Sequence, residues 1–225
     1  MAMFKLWTQN FFAVVAVGVL LFAPAGTLAW PQAWVFLVLF FVSGQVIGYW
    51  LLRTNPGLLA ERLKSPLRDN HAPRDRIVTA ILFVAFAAWL VGMGLARGFG
   101  QPVAPIGVEV LGAVFIGATF CAWSWVLREN SFAVTSVRLQ PERRHAVIST
   151  GPYALVRHPM YGAAAGFFIG TPLLLGSPSG LLGLLVFMPL LALRAQGEEA
   201  ILISGLPGYR EYAATVRYRL LPGIW

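Results

Sequence analysis

Apolar stretches of about 17 to 23 residues recur along this chain with almost no charge inside them, and each is long enough to cross a bilayer as a helix. Six such spans are expected, at about 10–28, 33–52, 77–96, 106–127, 161–176 and 180–195. The last two are short and are joined by Ser177-Pro178-Ser179, a turn signal that predicts a tight helical hairpin. With 58% hydrophobic and 12% charged residues in 225, one soluble core could not hide the apolar surface, so lipid must solvate part of it. A membrane β-barrel would instead show short alternating strands. The expected fold is an all-α polytopic transmembrane bundle of about six spans with a short carboxyl-terminal hairpin. No internal repeat or low-complexity tail interrupts it, so residues 1–225 read as one domain.

Charge placement tests the count of spans. Lys5, the basic residues between Arg53 and Arg76, those between Arg128 and Arg157, and Arg194, Arg210, Arg217 and Arg219 fall on one side, which leaves only Arg97 on the other. Sixteen of seventeen basic residues on one face is the positive-inside bias of a chain with both termini in the cytoplasm, and the inner or plasma membrane of a prokaryote is the expected location. The net charge of +8 therefore reports topology, not a nucleic-acid surface. A competing reading takes Lys5, the run from Phe11 and the small residues ending at Ala29 as a cleaved signal peptide, but the next apolar segment begins at once. Cys121 is the single cysteine, and His71, His145 and His158 are scattered, so neither a disulfide framework nor a metal centre is expected.

Polar chemistry collects near the carboxyl-terminal hairpin. In the run GPYALVRHPMYG, residues 151–162, Gly151-Pro152 is a turn, and the spacing of Tyr153 and Arg157 predicts one helical face. His158 precedes a proline and is biased away from helix, whereas Pro159 suits the first helical position. Free backbone N–H groups at that helix start, beside Arg157 and His158, suit a carboxylate or phosphate. Gly162, Gly166 and Gly170 recur every fourth residue and form a flat strip for a packed helix or a planar ligand. Beyond the hairpin, Arg194 and Glu198 stand four apart and are expected to pair, with Glu199 pointing elsewhere. Residues 55–76 mix leucines with charges at helical spacing and read as an interfacial helix.

The stretches HAVISTGPYALVRHPMYG, then Arg194-Ala195-Gln196-Gly197-Glu198-Glu199, then GLPGYREYAATVRYRLLPGIW resemble the isoprenylcysteine carboxyl methyltransferase family of membrane methyltransferases, which is related to the phospholipid N-methyltransferases. The resemblance covers about the last 80 residues well, and the joint pattern RHPxY with a downstream EE carries it. It implies S-adenosylmethionine as cofactor, bound by a part of the chain spanning about 128–225. His145, Ala146, Val147, Ile148, Tyr153, His158, Pro159, Met160, Tyr161, Glu198 and Glu199 would line or hold the cofactor, and Arg194 and Glu198 would act in catalysis, with Arg194 facing the substrate. Leu206-Pro207-Gly208 departs from the family's pattern before Tyr209 and Tyr212, and those tyrosines with Arg217 and Arg219 could form only an interfacial belt.

The resemblance implies a lipid-linked or prenylated acceptor. A carboxylate acceptor is already anionic and needs orienting, which Arg194 could supply with a bidentate fork. A lipid amine would first need a base, and one of the glutamates would have to serve. An NADPH-dependent sterol or enone reductase is a further reading, but no motif supplies room and donors for the extra phosphate. A transporter would need ionisable groups near the bilayer midplane, where the spans offer little beyond Ser43 and Gln45.

Overall fold

The structure, a computed structural model, describes residues 2–65, 67, 73–102 and 104–225. Arg68 and His71 lie outside the described residues, as does part of the expected interfacial helix. Eight α-helices and no strand are present among the described residues: α1 Ala2–Ala25, α2 Pro31–Thr54, α3 Pro56–Arg62, α4 Pro73–Gly98, α5 Ile106–Glu129, α6 Pro159–Leu174, α7 Leu184–Gly205 and α8 Tyr209–Thr215. Five helical stretches are long and apolar enough to cross a membrane, the last being α7 together with the 3-10 turn Pro178–Gly183 that leads into it. α6 has 16 residues and so rises about 24 Å, short of the roughly 30 Å hydrocarbon layer.

The hairpin is therefore asymmetric. The expected short span at 180–195 is corrected to a helix that runs on to Gly205, so Arg194, Glu198 and Glu199 lie within its last turns. α4 begins at Pro73, which places Arg74, Asp75 and Arg76 in its first turn and shortens the expected interfacial helix at 55–76 to Pro56–Arg62. That short helix starts on Asn55, whose side chain accepts from Leu58 N at 3.0 Å, and buries Leu58 and Leu59 against Leu6, Leu51 and Leu127.

A core of Leu21, Phe36, Leu90, Ile116, Phe167 and Phe187 joins the helices, and the rings of Phe168 and Phe187 stack at 4.0 Å between α6 and α7. Outside it, Val38, Val42, Val46, Val84, Val110 and Val114 stay exposed, a surface that suits acyl chains. α5 and α6 approach closely because their facing residues are small. A Cβ on Gly112 would collide with the Leu174 backbone, and one on Gly170 with the Gly112 carbonyl. The glycine strip is thus occupied by protein: Gly166 faces Thr119 of α5, and Gly162 faces the carbonyl of Leu220.

The helices alternate in direction, which gathers the start of α4, the ends of α5 and α7 and the start of α6 at one end of the bundle. Asp75, Asn130, His158 and Arg194 all converge there. Arg97 closes α4 at the opposite end, beside Trp30, Gln32 and Ser177. There Trp30 Nε1 donates to Leu175 O, and Gln32 donates to the buried Glu109 at 2.8 Å.

Candidate functional site

Pro159 starts α6 as expected, and His158 caps it in a non-helical conformation with φ −125° and ψ 63°. The preceding turn departs from expectation. Gly151–Ala154 is a 3-10 turn that ends before Arg157, so Tyr153 and Arg157 share no α-helical face. Tyr153 Oη instead accepts from Asn130 at the end of α5, and Tyr212 Oη donates to Tyr153 O, both at 2.8 Å.

The RHPxY and EE motifs meet in space. Tyr161 Oη donates to Glu198 Oε2 at 2.9 Å, and His158 Nδ1 lies 3.6 Å from the same oxygen. His158 Nε2 reaches Glu199 Oε1 at 3.3 Å, so the imidazole lies between the two carboxylates. Burial opposes charge on His158, but its hydrogen bonds to Glu198 and Glu199 prevail and raise its pKa above the ordinary imidazole value. The rings of His158 and Tyr161 lie nearly parallel with centroids 5.5 Å apart.

Glu199 faces away from the pocket. It accepts from Arg157 Nε at 2.6 Å and from Arg219 Nε at 2.8 Å. Arg157 also donates to the carbonyls of Ala213 and Val216, while the amides of Arg157 and His158 donate to Tyr218 O and Arg219 O at 3.0 and 2.8 Å. Sequence spacing could not find this anchor, because 41 and 20 residues separate Glu199 from His158 and Arg219.

The expected pairing of Arg194 with Glu198 is overturned. Arg194 Nε lies 3.0 Å from Asp75 Oδ1, Nη2 donates to Thr135 O, and the guanidinium sits 5.8 Å from the Tyr161 ring centroid. The buried carboxylate of α4 is a stronger partner than the neighbour one turn away, because two buried charges gain more from each other than an isolated surface pair does.

A cleft opens where these groups meet. Its wall includes His145, Ala146, Val147, Ile148, Tyr153, His158, Met160, Tyr161 and Glu198, whereas Pro159, Arg194 and Glu199 stand outside the wall. The remaining wall is chiefly a strap of residues 132–138, with Asn130 and the half-turn residues Leu206, Tyr209 and Tyr212. Tyr209 and Tyr212 are buried in a cluster with Leu206 and Val216, not displayed as an interfacial belt, and burial pushes the Tyr212 hydroxyl up to about 12.

His145 packs on Phe132 with centroids 4.5 Å apart and planes tilted by 32°, and burial lowers its pKa, which favours the neutral ring. Among the described residues, His145 Nδ1 and Tyr209 Oη are buried without a hydrogen-bond partner, and both residues belong to the cleft wall. Orphaned polar atoms of this kind suit a ligand with donors and acceptors of its own. Among the described residues no group of three or more His, Cys, Asp or Glu side chains could hold a metal ion. Residues 108–205, from α5 through the end of α7, match the family model for phospholipid methyltransferase. No curated protein matches the chain.

Proposed function

We propose, from the match of residues 108–205 to the phospholipid methyltransferase family model, that this protein is an S-adenosylmethionine-dependent membrane methyltransferase. Its acceptor is a lipid-linked carboxylate of the isoprenylcysteine type. Residues 1–225 act as one unit, with the cofactor held by 128–225 and the cleft facing the cytoplasm. The observation that carries this reading is the meeting of His158, Tyr161 and Glu198 around one carboxylate oxygen on the cleft wall.

The cofactor has a sulfonium, an ammonium and a carboxylate, and the residues present suit each. Glu198, 30% exposed at its side chain, offers a charge to a cation, and the faces of Tyr153 and Tyr161 offer π density. The imidazole of His158 and the guanidinium of Arg138 suit the carboxylate, while His145 Nδ1 and Tyr209 Oη suit polar edges of the adenosine.

S-adenosylmethionine supplies an electrophilic methyl group. When bound it would give that methyl to the acceptor oxygen, its carbon–sulfur bond breaking with the electron pair left on sulfur. A carboxylate acceptor gives up no proton, so the protein needs no base and contributes alignment and exclusion of water. Arg194, whose guanidinium lies 5.8 Å from the Tyr161 ring centroid, orients the acceptor. The phospholipid amine reading would require an unengaged base, yet both glutamates hold hydrogen-bonded partners.

Equilibrium binding in detergent tests the assignment. S-adenosylmethionine should bind and NADPH should not, and Glu198→Gln or His158→Ala should weaken the first by at least roughly tenfold, about 1.4 kcal/mol. Undiminished binding by both variants would remove the site assignment. Transfer from a labelled methyl donor should place label in a base-labile ester; label in a stable amine would remove the acceptor assignment.

A further inference from the structure

The strap over the cleft is held by charges at alternate residues. Arg62 of α3 donates to Ala133 O at 2.7 Å, Arg194 of α7 donates to Thr135 O, and Asp75 of α4 accepts from Val137 N at 3.2 Å. Ala133, Val134, Ser136 and Val137 meanwhile form cleft wall. Two of the three fastenings come from one ion pair, in which Arg194 Nε lies 3.0 Å from Asp75 Oδ1. Asp75 is buried and Arg194 largely so, with side-chain exposures of 7% and 13%.

From this arrangement, and resting on the carboxylate acceptor proposed above, we infer that Asp75 stands in for the acceptor carboxylate on Arg194. An anionic acceptor takes the arginine by exchanging with the aspartate, and the exchange loosens the strap at Thr135 and Val137. Asp75 is then a specificity-determining residue that selects for an anion.

Three features carry the exchange. A buried guanidinium keeps a counter-charge at every stage when one carboxylate replaces another, which a neutral acceptor cannot provide. An ammonium acceptor is repelled by Arg194. The existing pair is also imperfectly fastened: Arg194 Nε makes no aligned hydrogen bond despite its 3.0 Å approach, and Nη2 lies 3.4 Å from Asp75 Oδ2. The displaced carboxylate keeps favourable surroundings, because Asp75 lies in the first turn of α4, where the helix dipole favours an anion, with Arg74 and Arg76 as its chain neighbours.

Hydrogen–deuterium exchange on the full-length protein with S-adenosylmethionine bound tests the inference, using N-acetyl-S-farnesylcysteine and its carboxamide as probes. The carboxylate should speed exchange of amides 133–137 at least about fivefold, the low end of a coupling between sites, and the carboxamide should not. Asp75→Asn should exchange rapidly without acceptor and lower KM for the carboxylate about fivefold, with the Kd of S-adenosylmethionine unchanged within about twofold. Equal acceleration by the carboxamide, no acceleration by the carboxylate, or a raised KM in Asp75→Asn overturns the inference. Should that variant not fold, the two probes on the native chain decide. Failure of the native chain to bind S-adenosylmethionine would remove the functional reading beneath it, an outcome separate from cofactor binding with an unmoved strap.

Discussion

Glu198 and Glu199 are consecutive on α7, yet the regions they face are built differently. On the cleft side, Glu198 accepts from one tyrosine, lies near one imidazole and keeps 30% of its side chain open. On the tail side, Glu199 is 6% exposed and held by Arg157, His158 and Arg219 together. The contrast separates two uses of buried charge. A fully paired carboxylate fixes chain segments against one another, whereas a partly paired one keeps capacity for a ligand.

The sharpest way to break that contrast is to remove each acid in turn. Glu199→Ala should cost about 3–5 kcal/mol of stability, because Arg157, 8% exposed, is left without its counter-charge. Glu198→Ala should cost about 1.5–3 kcal/mol, the worth of one hydrogen bond to a charged group. Thermal unfolding in detergent, followed by tryptophan fluorescence, measures both; equal losses would dissolve the distinction.

The two described histidines sharpen it through pH. His158 has a raised pKa in the folded protein, so its contribution to stability is complete below about pH 6.5 and is lost as pH rises through the folded value. His145 has a lowered one, so its contribution is complete above about pH 6.5 and is lost as pH falls through the folded value. A pH series of melting temperatures should show the alkaline decline flattened in His158→Gln and the acidic decline flattened in His145→Gln. The smallest effect belongs to the exposed pair Arg138–Glu142, where Glu142→Ala should leave the melting temperature nearly unchanged in the same melts.

Much of the bundle was legible because apolar length and proline position act locally. The six runs mark α1, α2, α4, α5, α6 and α7, and Pro159 marks where α6 begins. The end of α7 was not legible, since the apolar run stops near residue 195 and the polar residues beyond it are neutralised by Arg157, Arg219 and Asp75 from other helices and the tail. The same cause hid the partner of Arg194. Spacing favours Glu198 four residues on, whereas Asp75 is 119 residues away and reaches it only through the packing of α4 against α7. The wall residues 145–148 and the RHPxY step carry motif information, but the strap at 132–138 and the buried Tyr209 and Tyr212 depend on long-range contacts that no local pattern encodes.

The bonds from Arg157 and His158 to the carbonyls of Tyr218 and Arg219 have a consequence for biosynthesis. A nascent chain can insert every long helix and still possess no finished cleft until those later carbonyls have emerged from the ribosome and docked. Completion of the cleft is therefore a late event, which waits on the tail after the long helices are made.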